Sequence, residues 1–222
     1  MRVHRLDPVQ NARSNMVLSQ LKPNGVVDRL ILKVIDSVPR ENFIPMASLA
    51  VAYGDGPIFC DIPGRYIFAP QTLGLFLQSL NLSPDDKVLV VGGNYGYTAT
   101  VLFELKCMVC VVESQPILVA KCREKLKKHN AVIENAPLNL GLPEHGPYQA
   151  IIIEVGLKSL PAAIIDQLED GGRIAVCITN DESNVSKACV FEKKLDMLRQ
   201  IISFEANMPL CYESDEPISF RF

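Results

Sequence analysis

Three glycines and the apolar run before them are the residues whose types and spacing first suggest chemistry. Gly92 and Gly93 follow the uninterrupted run 88–91, and Gly96 comes three residues later. The pattern predicts a buried parallel strand, a tight turn and the start of a helix. Glycines serve a turn whose backbone must approach a ligand closely or adopt positive φ, although an ordinary strand-to-helix turn would show the same pattern.

Acidic and amide side chains end the strands predicted beyond this turn. Glu113 stands 21 residues after Gly92 (113 minus 92), at the end of the second predicted strand, and Asn135 and Glu154 end the third and fourth. The carboxyl ends of parallel strands meet at one edge of a sheet, where ligands bind. A carboxylate about 20 residues after the first glycine is suited to accept hydrogen bonds from ribose hydroxyls.

Two classes of cofactor would fit a ribose-binding acid and a glycine turn. A dinucleotide needs a phosphate-binding glycine pattern at the helix N-terminus, whereas S-adenosylmethionine carries no phosphate and tolerates a looser turn. Asn94 stands where the second dinucleotide glycine would be. The residues therefore favour S-adenosylmethionine.

The surrounding elements form a βα alternation with additions at both ends. Helices are predicted at 9–21, 26–38, 71–80, 98–105, 116–128 and 160–168, and parallel strands at 88–91, 108–113, 132–135, 150–154 and 173–179. The final strands, 187–193 and 198–207, are predicted to be an antiparallel pair, although 195–202 has some helical character. Residues 53–70 are predicted to be a loop that is either functional or a plain linker.

Composition limits the function classes. The 222 residues, 48% hydrophobic and 21% charged, are enough for one sizeable core, and a net charge of −3 does not favour nucleic acid or an anionic membrane. Seven cysteines, mostly in apolar runs, suit reduced thiols in a cytoplasmic protein. The histidines are too scattered to predict a metal site, no apolar span long enough for a membrane helix is present, and the oligomeric state is left open.

The order of motifs resembles the protein-L-isoaspartate O-methyltransferase family of class I methyltransferases. The segments that carry the resemblance are PRENFIP (39–45), RYIFAPQTLGLFLQSL (65–80), VLVVGGNYGYTATVL (88–102), VVES (111–114), PYQAIIIEVGLKSLPAAIIDQLEDGGRIAV (147–176) and MPL (208–210). The resemblance implies a Rossmann-like, seven-stranded, mostly parallel sheet with an antiparallel C-terminal end. Residues 1–80 would form an N-terminal helical extension with a covering loop, and 81–222 the methyltransferase core of one continuous structural domain.

The resemblance also implies roles for individual residues. Gly92, Gly93, Asn94, Tyr95 and Gly96 would flank the methionine part of S-adenosylmethionine, with Glu113 and Ser114 near its ribose and Asn135 with Ala136 at the adenine edge. The segment 65–72 would cover the methyl group and line the pocket of a protein or peptide substrate that contains isoaspartyl residues. Phe68, Gln71 and Glu154 are the pocket candidates, none of them assigned as an acid or base.

Several positions depart from the family pattern. Phe68 stands where the family pattern has a serine, and Gln71 stands where a histidine is common. Val90 replaces an acidic residue, Asn94 replaces a glycine, and Gln149 replaces an aspartate. Glu154 could hold a cofactor or substrate cation, or pair with Lys158 four residues on. The alternatives are therefore a methyltransferase with another acceptor and a non-catalytic binding protein.

Overall fold

The computed structural model describes residues 7–179, 186–195, 197–206 and 208. The predicted acidic loop and aromatic tail at 212–222 lie outside these residues. The α-helices of the described part are α1 (Pro8–Met16), α2 (Arg29–Ser37), α3 (Pro70–Leu80), α4 (Tyr97–Glu104), α5 (Pro116–Leu126) and α6 (Ala162–Asp166). The strands are β1 (Ile58–Phe59), β2 (Tyr66–Ile67), β3 (Lys87–Val91), β4 (Met108–Glu113), β5 (Val132–Asn135), β6 (Tyr148–Leu157), β7 (Leu168–Thr179), β8 (Ser186–Lys194) and β9 (Met197–Glu205).

Seven strands form one sheet in the order β5-β4-β3-β6-β7-β8-β9. The first five of these pair in parallel, and β8 pairs antiparallel with both β7 and β9. The chain moves outward from β3 to β5 and then returns to place β6 on the other side of β3. Strand order thus reverses between β3 and β6, and a ligand crevice is expected at their carboxyl ends. The predicted fold class is confirmed.

Alternate residues of β3 enter two different cores. Val88 and Val90 are completely buried in a cluster that includes residues of α2, α3, α4 and α5, while Leu89 and Val91 belong to a second cluster with α6. Because strand side chains alternate between faces, an apolar run without polar residues requires cover on both sides. This is why the run 88–91 has no polar residue.

The N-terminal extension packs into the first of these cores. Its second helix, α2, begins after Asp28, whose carboxylate accepts hydrogen bonds from the amides of Leu30 and Ile31 at 2.8 and 3.0 Å. Such capping satisfies amide groups that have no partner within the helix. The predicted helix at 9–21 is α1 continued by a π-helical turn at Val17–Leu21. The division of one continuous domain into an extension (1–80) and a core (81–222) stays a prediction.

The prediction was wrong where β6 meets β7. A helix was expected at 160–168, but α6 ends at Asp166 and β7 already begins at Leu168. Tyr148 pairs with Leu168 and Ala150 with Arg173, so residues 169–172 form an irregularity within the strand pairing. Gly171, at φ 82°, belongs to this irregular part of the strand. Within the described ranges, no helix has the length and apolar character needed to cross a bilayer.

Candidate active site

The glycine turn between β3 and α4 has the left-handed backbone that its sequence predicted. Gly92 and Gly96 have φ values of 81° and 84°, and Asn94 has a φ of 48°. Asparagine is among the few residues other than glycine that tolerate this region. The backbone of the turn is therefore compatible with asparagine at the position where the family pattern has a glycine.

Gly93 is required by packing and not by its backbone angle. A Cβ atom at this position would lie 2.3 Å from Cγ1 of Val111 on β4. We expect Gly93→Ala to lower the free energy of unfolding by about 1–3 kcal/mol, because the turn and β4 would have to separate. Urea unfolding measures the loss. Gly56→Ala, where a Cβ meets nothing within 4 Å, is the matched control, and equal stability of both variants would contradict this packing.

Glu113 ends β4 directly beside the turn and is completely buried. Its Oε2 accepts a hydrogen bond from the Asn94 amide at 3.1 Å. Its Oε1 accepts from the Gln115 amide at 3.0 Å and from Nη2 of Arg65 at 3.1 Å. The predicted ribose acid thus lies where the sequence placed it, but an arginine that the sequence did not single out is its charge partner.

The other predicted cofactor residues surround Glu113. Ser114 Oγ accepts a hydrogen bond from Nη2 of Arg65 at 2.7 Å. The exposed Asn135 donates from Nδ2 to the backbone carbonyls of Glu113 and Ser114, at 2.8 and 3.0 Å, and Ala136 follows it, half-buried. Asn135 therefore holds the ends of β4 and β5 together.

A short hairpin lies over the turn. We call the segment 58–67, which contains β1 and β2, the covering hairpin. Asn94 Nδ2 donates to the carbonyl of Tyr66 at 3.0 Å, and Tyr95 Oη donates to Asp61 at 2.8 Å. Lys121 of α5 donates to Tyr95 Oη at 3.2 Å and lies 4.4 Å from the centre of its ring. Every residue from Gly92 to Gly96 is consequently buried.

The pocket candidates on the covering side differ in their environment. Phe68 is completely buried and packs edge-to-face against Phe76 of α3, with ring centres 5.3 Å apart. Its amide donates to Glu154 Oε1 at 3.3 Å. Gln71 lies in the first turn of α3 and is half-buried. Phe68 is thus a core residue that contacts Glu154 through its backbone amide and not through its side chain.

Glu154 is a buried carboxyl group within β6. Oε1 also accepts from Thr98 Oγ1 of α4 at 2.9 Å. Burial raises the pKa of Glu154 from its ordinary value of 4.5 to about 7, although the bonds from Thr98 and Phe68 and the positive charge of Arg40 act in the opposite direction. Glu154 lies in a strand, and its pairing with Lys158 four residues on stays a prediction.

Two buried arginines were missed by the sequence reasoning. Arg65 lies on the covering hairpin, and Arg40 lies before it in the chain, donating from Nε to the Ala52 carbonyl at 3.0 Å and from Nη2 to the Phe68 carbonyl at 2.6 Å. The Arg40 guanidinium also lies 4.9 Å from the centre of the Tyr97 ring. An arginine in a glycine- and proline-rich segment is ordinarily exposed, so only the tertiary structure shows these roles.

The chemistry of these side chains fits an adenosine group. Glu113 could accept from a ribose diol, and Asn94 Oδ1 is a buried acceptor with no hydrogen-bond partner among the described residues.

In the described ranges no group of three or more histidine, cysteine or acidic side chains is placed to hold a metal ion. A surface cavity of about 570 Å³ beside Pro147 and Gln167 lies at the amino end of β6, which is the opposite end of the sheet from the turn.

Gln149 and Val90, two further departures from the family pattern, have structural roles here. Gln149 Oε1 accepts from the Lys87 amide at 2.6 Å, which fixes the start of β3 against β6. Val90 is completely buried in the first core. Neither side chain is placed to supply a charge to a ligand.

Comparison with known proteins agrees with this geometry. The family model described as Protein-L-isoaspartate(D-aspartate) O-methyltransferase (PCMT) matches residues 12–209. Among the curated relatives, Protein-L-isoaspartate O-methyltransferase 1 of Syntrophobacter fumaroxidans is 35% identical over 75% of this chain and 79% of its own length. The Protein-L-isoaspartate O-methyltransferase of Methylorubrum extorquens is 33% identical over 78% of this chain and 77% of its own length.

Solved structures share this fold. A protein-L-isoaspartate O-methyltransferase structure superposes with a TM-score of 0.77 at 27% identity, covering 89% of this chain and 65% of that chain. The fold is also shared by a Plasmodium falciparum protein in complex with S-adenosyl-L-homocysteine, with a TM-score of 0.75 and 20% identity, covering 91% of this chain and 99% of that chain. The family model spans most of the chain and the relatives exceed 30% identity. The chain therefore belongs to the protein-L-isoaspartate(D-aspartate) O-methyltransferase family.

Proposed function

We propose that this protein is a methyltransferase that uses S-adenosylmethionine to methylate the carboxyl group of L-isoaspartyl residues in damaged proteins. The observation that carries the proposal is Glu113, which ends β4 beside the left-handed turn at the reversal of strand order. A carboxylate there is suited to a ribose diol. The family membership supports the same substrate and cofactor.

Each predicted residue would have a limited task. Glu113, with Ser114 beside it, would hold the ribose, and Asn135 with Ala136 would lie along the adenine edge. Asn94 Oδ1 would accept from the amino group of the methionine part, within the turn formed by Gly92, Gly93, Tyr95 and Gly96. When bound, S-adenosylmethionine supplies an activated methyl group on its sulfonium.

The substrate carboxyl needs no strong base from the protein. A free carboxyl group has a pKa near 4 and is ionised at neutral pH. The protein mainly supplies alignment, which contributes roughly 7 to 11 kcal/mol in favourable intramolecular reactions. Phe68 and Gln71 would therefore shape the pocket without donating or accepting a proton.

Glu154 is compatible with an anionic substrate because it is not fully charged at neutral pH. A carboxylate facing the pocket would repel the isoaspartyl carboxylate. With a pKa raised to about 7 by burial, Glu154 is about half protonated near pH 7. Its hydrogen bonds to Thr98 and the Phe68 amide direct Oε1 into the protein.

Titration with S-adenosylhomocysteine and a methyl-transfer assay test this proposal. We expect heat of binding in calorimetry and transfer of a tritiated methyl group to a peptide that contains L-isoaspartate. The matched peptide with ordinary aspartate should remain unlabelled. No binding at high micromolar ligand, or binding without labelling of either peptide, would contradict the proposed activity.

A second candidate is methylation of a different acceptor. It is favoured by Phe68, whose completely buried phenyl ring replaces the hydroxyl that the family pattern places at this position. In that case S-adenosylhomocysteine binds and proteins of a cell extract are labelled, while the isoaspartyl peptide is not.

A cytoplasmic location is proposed as well, because the described cysteines are free thiols, as expected in a reducing compartment.

A further inference from the structure

Arg65 occupies the Glu113 carboxylate, which is the group that the ribose of the cofactor would need. Both side chains are almost completely buried, at 1% and 0% exposure, and Arg65 reaches Glu113 across 48 residues of sequence. A buried charge pair is stable only while both partners remain in place. The pair therefore ties the covering hairpin to the end of β4.

The acceptor sites of Glu113 are nearly all in use. A carboxylate has about four lone-pair sites. Within the described part of the chain, the amides of Asn94 and Gln115 and Nη2 of Arg65 occupy three of them. A ribose diol needs two acceptor sites on a carboxylate that it can reach. While Arg65 remains bound, Glu113 is completely buried and has about one acceptor site left.

The same hairpin is held at three further points around the site. The Tyr66 carbonyl is bound by Asn94 Nδ2, Asp61 by Tyr95 Oη, and Ser114 Oγ by Arg65 itself. All of these contacts join the covering hairpin to the turn or to the end of β4. Displacement of Arg65 would release the hairpin at the point where the ribose must enter.

We propose that Arg65 is a latch that holds the covering hairpin closed over Glu113, and that the adenosine ribose and Arg65 compete for this carboxylate. The competition rests on the proposed function, whereas the latch can be tested without any cofactor. A protein whose binding-competent state is a minor population binds its ligand more weakly by that fraction. Removal of Arg65 should therefore increase the affinity for the cofactor.

Hydrogen exchange in the absence of cofactor tests the latch. We compare the wild type with Arg65→Ala and Glu113→Gln, and use Arg199→Ala, an exposed site on β9, as the matched control. In both latch variants, peptides covering 58–67 should exchange about tenfold faster or more, while peptides of 173–179 in the central sheet keep their protection. Unchanged exchange at 58–67 would overturn the latch, as would faster exchange at 173–179, which would make Arg65 a support of the whole fold.

Calorimetry with S-adenosylhomocysteine tests the competition. Arg65→Ala should bind about tenfold more tightly than the wild type. Glu113→Gln should gain nothing, because it opens the hairpin but removes the carboxylate. Equal or weaker binding by Arg65→Ala than by the wild type would overturn the competition while the proposed function stands. Faster exchange with no binding by any variant would instead support the latch and overturn the proposed function.

Discussion

Phe68→Ala is expected to lower the free energy of unfolding by about 3–5 kcal/mol, the range found when a fully buried phenylalanine is truncated. Phe68 is completely buried, and its ring packs edge-to-face on Phe76. The substitution would leave a cavity between the covering side of the site and α3. Urea unfolding followed by circular dichroism measures the loss.

Phe59→Ala is the matched control for this prediction. Phe59 lies on the covering hairpin in β1 and is 61% exposed. Its truncation should change the free energy of unfolding by about 0.5 kcal/mol or less, as for most surface positions. A loss of under about 1 kcal/mol in Phe68→Ala would show that the segment 65–72 does not pack on the core as described.

The local parts of the site could be predicted from the sequence because each depends on neighbouring residues. The run 88–91 predicted β3, and the glycines after it predicted the turn, whose left-handed angles fall at Gly92, Asn94 and Gly96. Glu113 could be placed because the end of a predicted strand fixes its position at the sheet edge. The roles of these residues toward a cofactor stay predictions.

The long-range parts could not be predicted from the sequence. The Arg65 contact with Glu113 and the Glu154 contact with Phe68 join residues 48 and 86 positions apart. Nothing in the local pattern of a glycine-rich loop indicates that its arginine is buried. The start of β7 was missed for a related reason, since the irregular pairing that Gly171 permits depends on the partner strand β6.

The two buried acids explain how a divergent site can still be stable. Glu113 is compensated by Arg65, so its charge has a partner in the described conformation. Glu154 is held instead by hydrogen bonds from Thr98 Oγ1 and the Phe68 amide. Burial favours the neutral form of this acid more strongly than its hydrogen bonds and the charge of Arg40 favour the ionised form. The stability of the protein should therefore depend on pH through Glu154.

Glu154→Gln is expected to remove this dependence. The pKa of Glu154 is raised to about 7 in the folded protein by burial, above the 4.5 expected of the unfolded chain. Between these values the folded state binds more protons than the unfolded state, so the free energy of unfolding falls as pH rises. Between about pH 5 and pH 8 the wild type should lose about 2–3 kcal/mol from this one group. Glutamine retains an acceptor for Thr98 and has no charge to bury.

Urea unfolding at about pH 5 and about pH 8 measures the effect as the difference between variant and wild type. Relative to the wild type, the free energy of unfolding of Glu154→Gln should be about 2–3 kcal/mol higher at about pH 8 than at about pH 5. Glu134→Gln, at an exposed position on β5, is the control and should follow the wild type at both values. Parallel pH profiles for Glu154→Gln and the wild type would mean that Glu154 is ionised in the folded protein at little cost. The acid would then repel an anionic substrate, and a different methyl acceptor would become the better proposal.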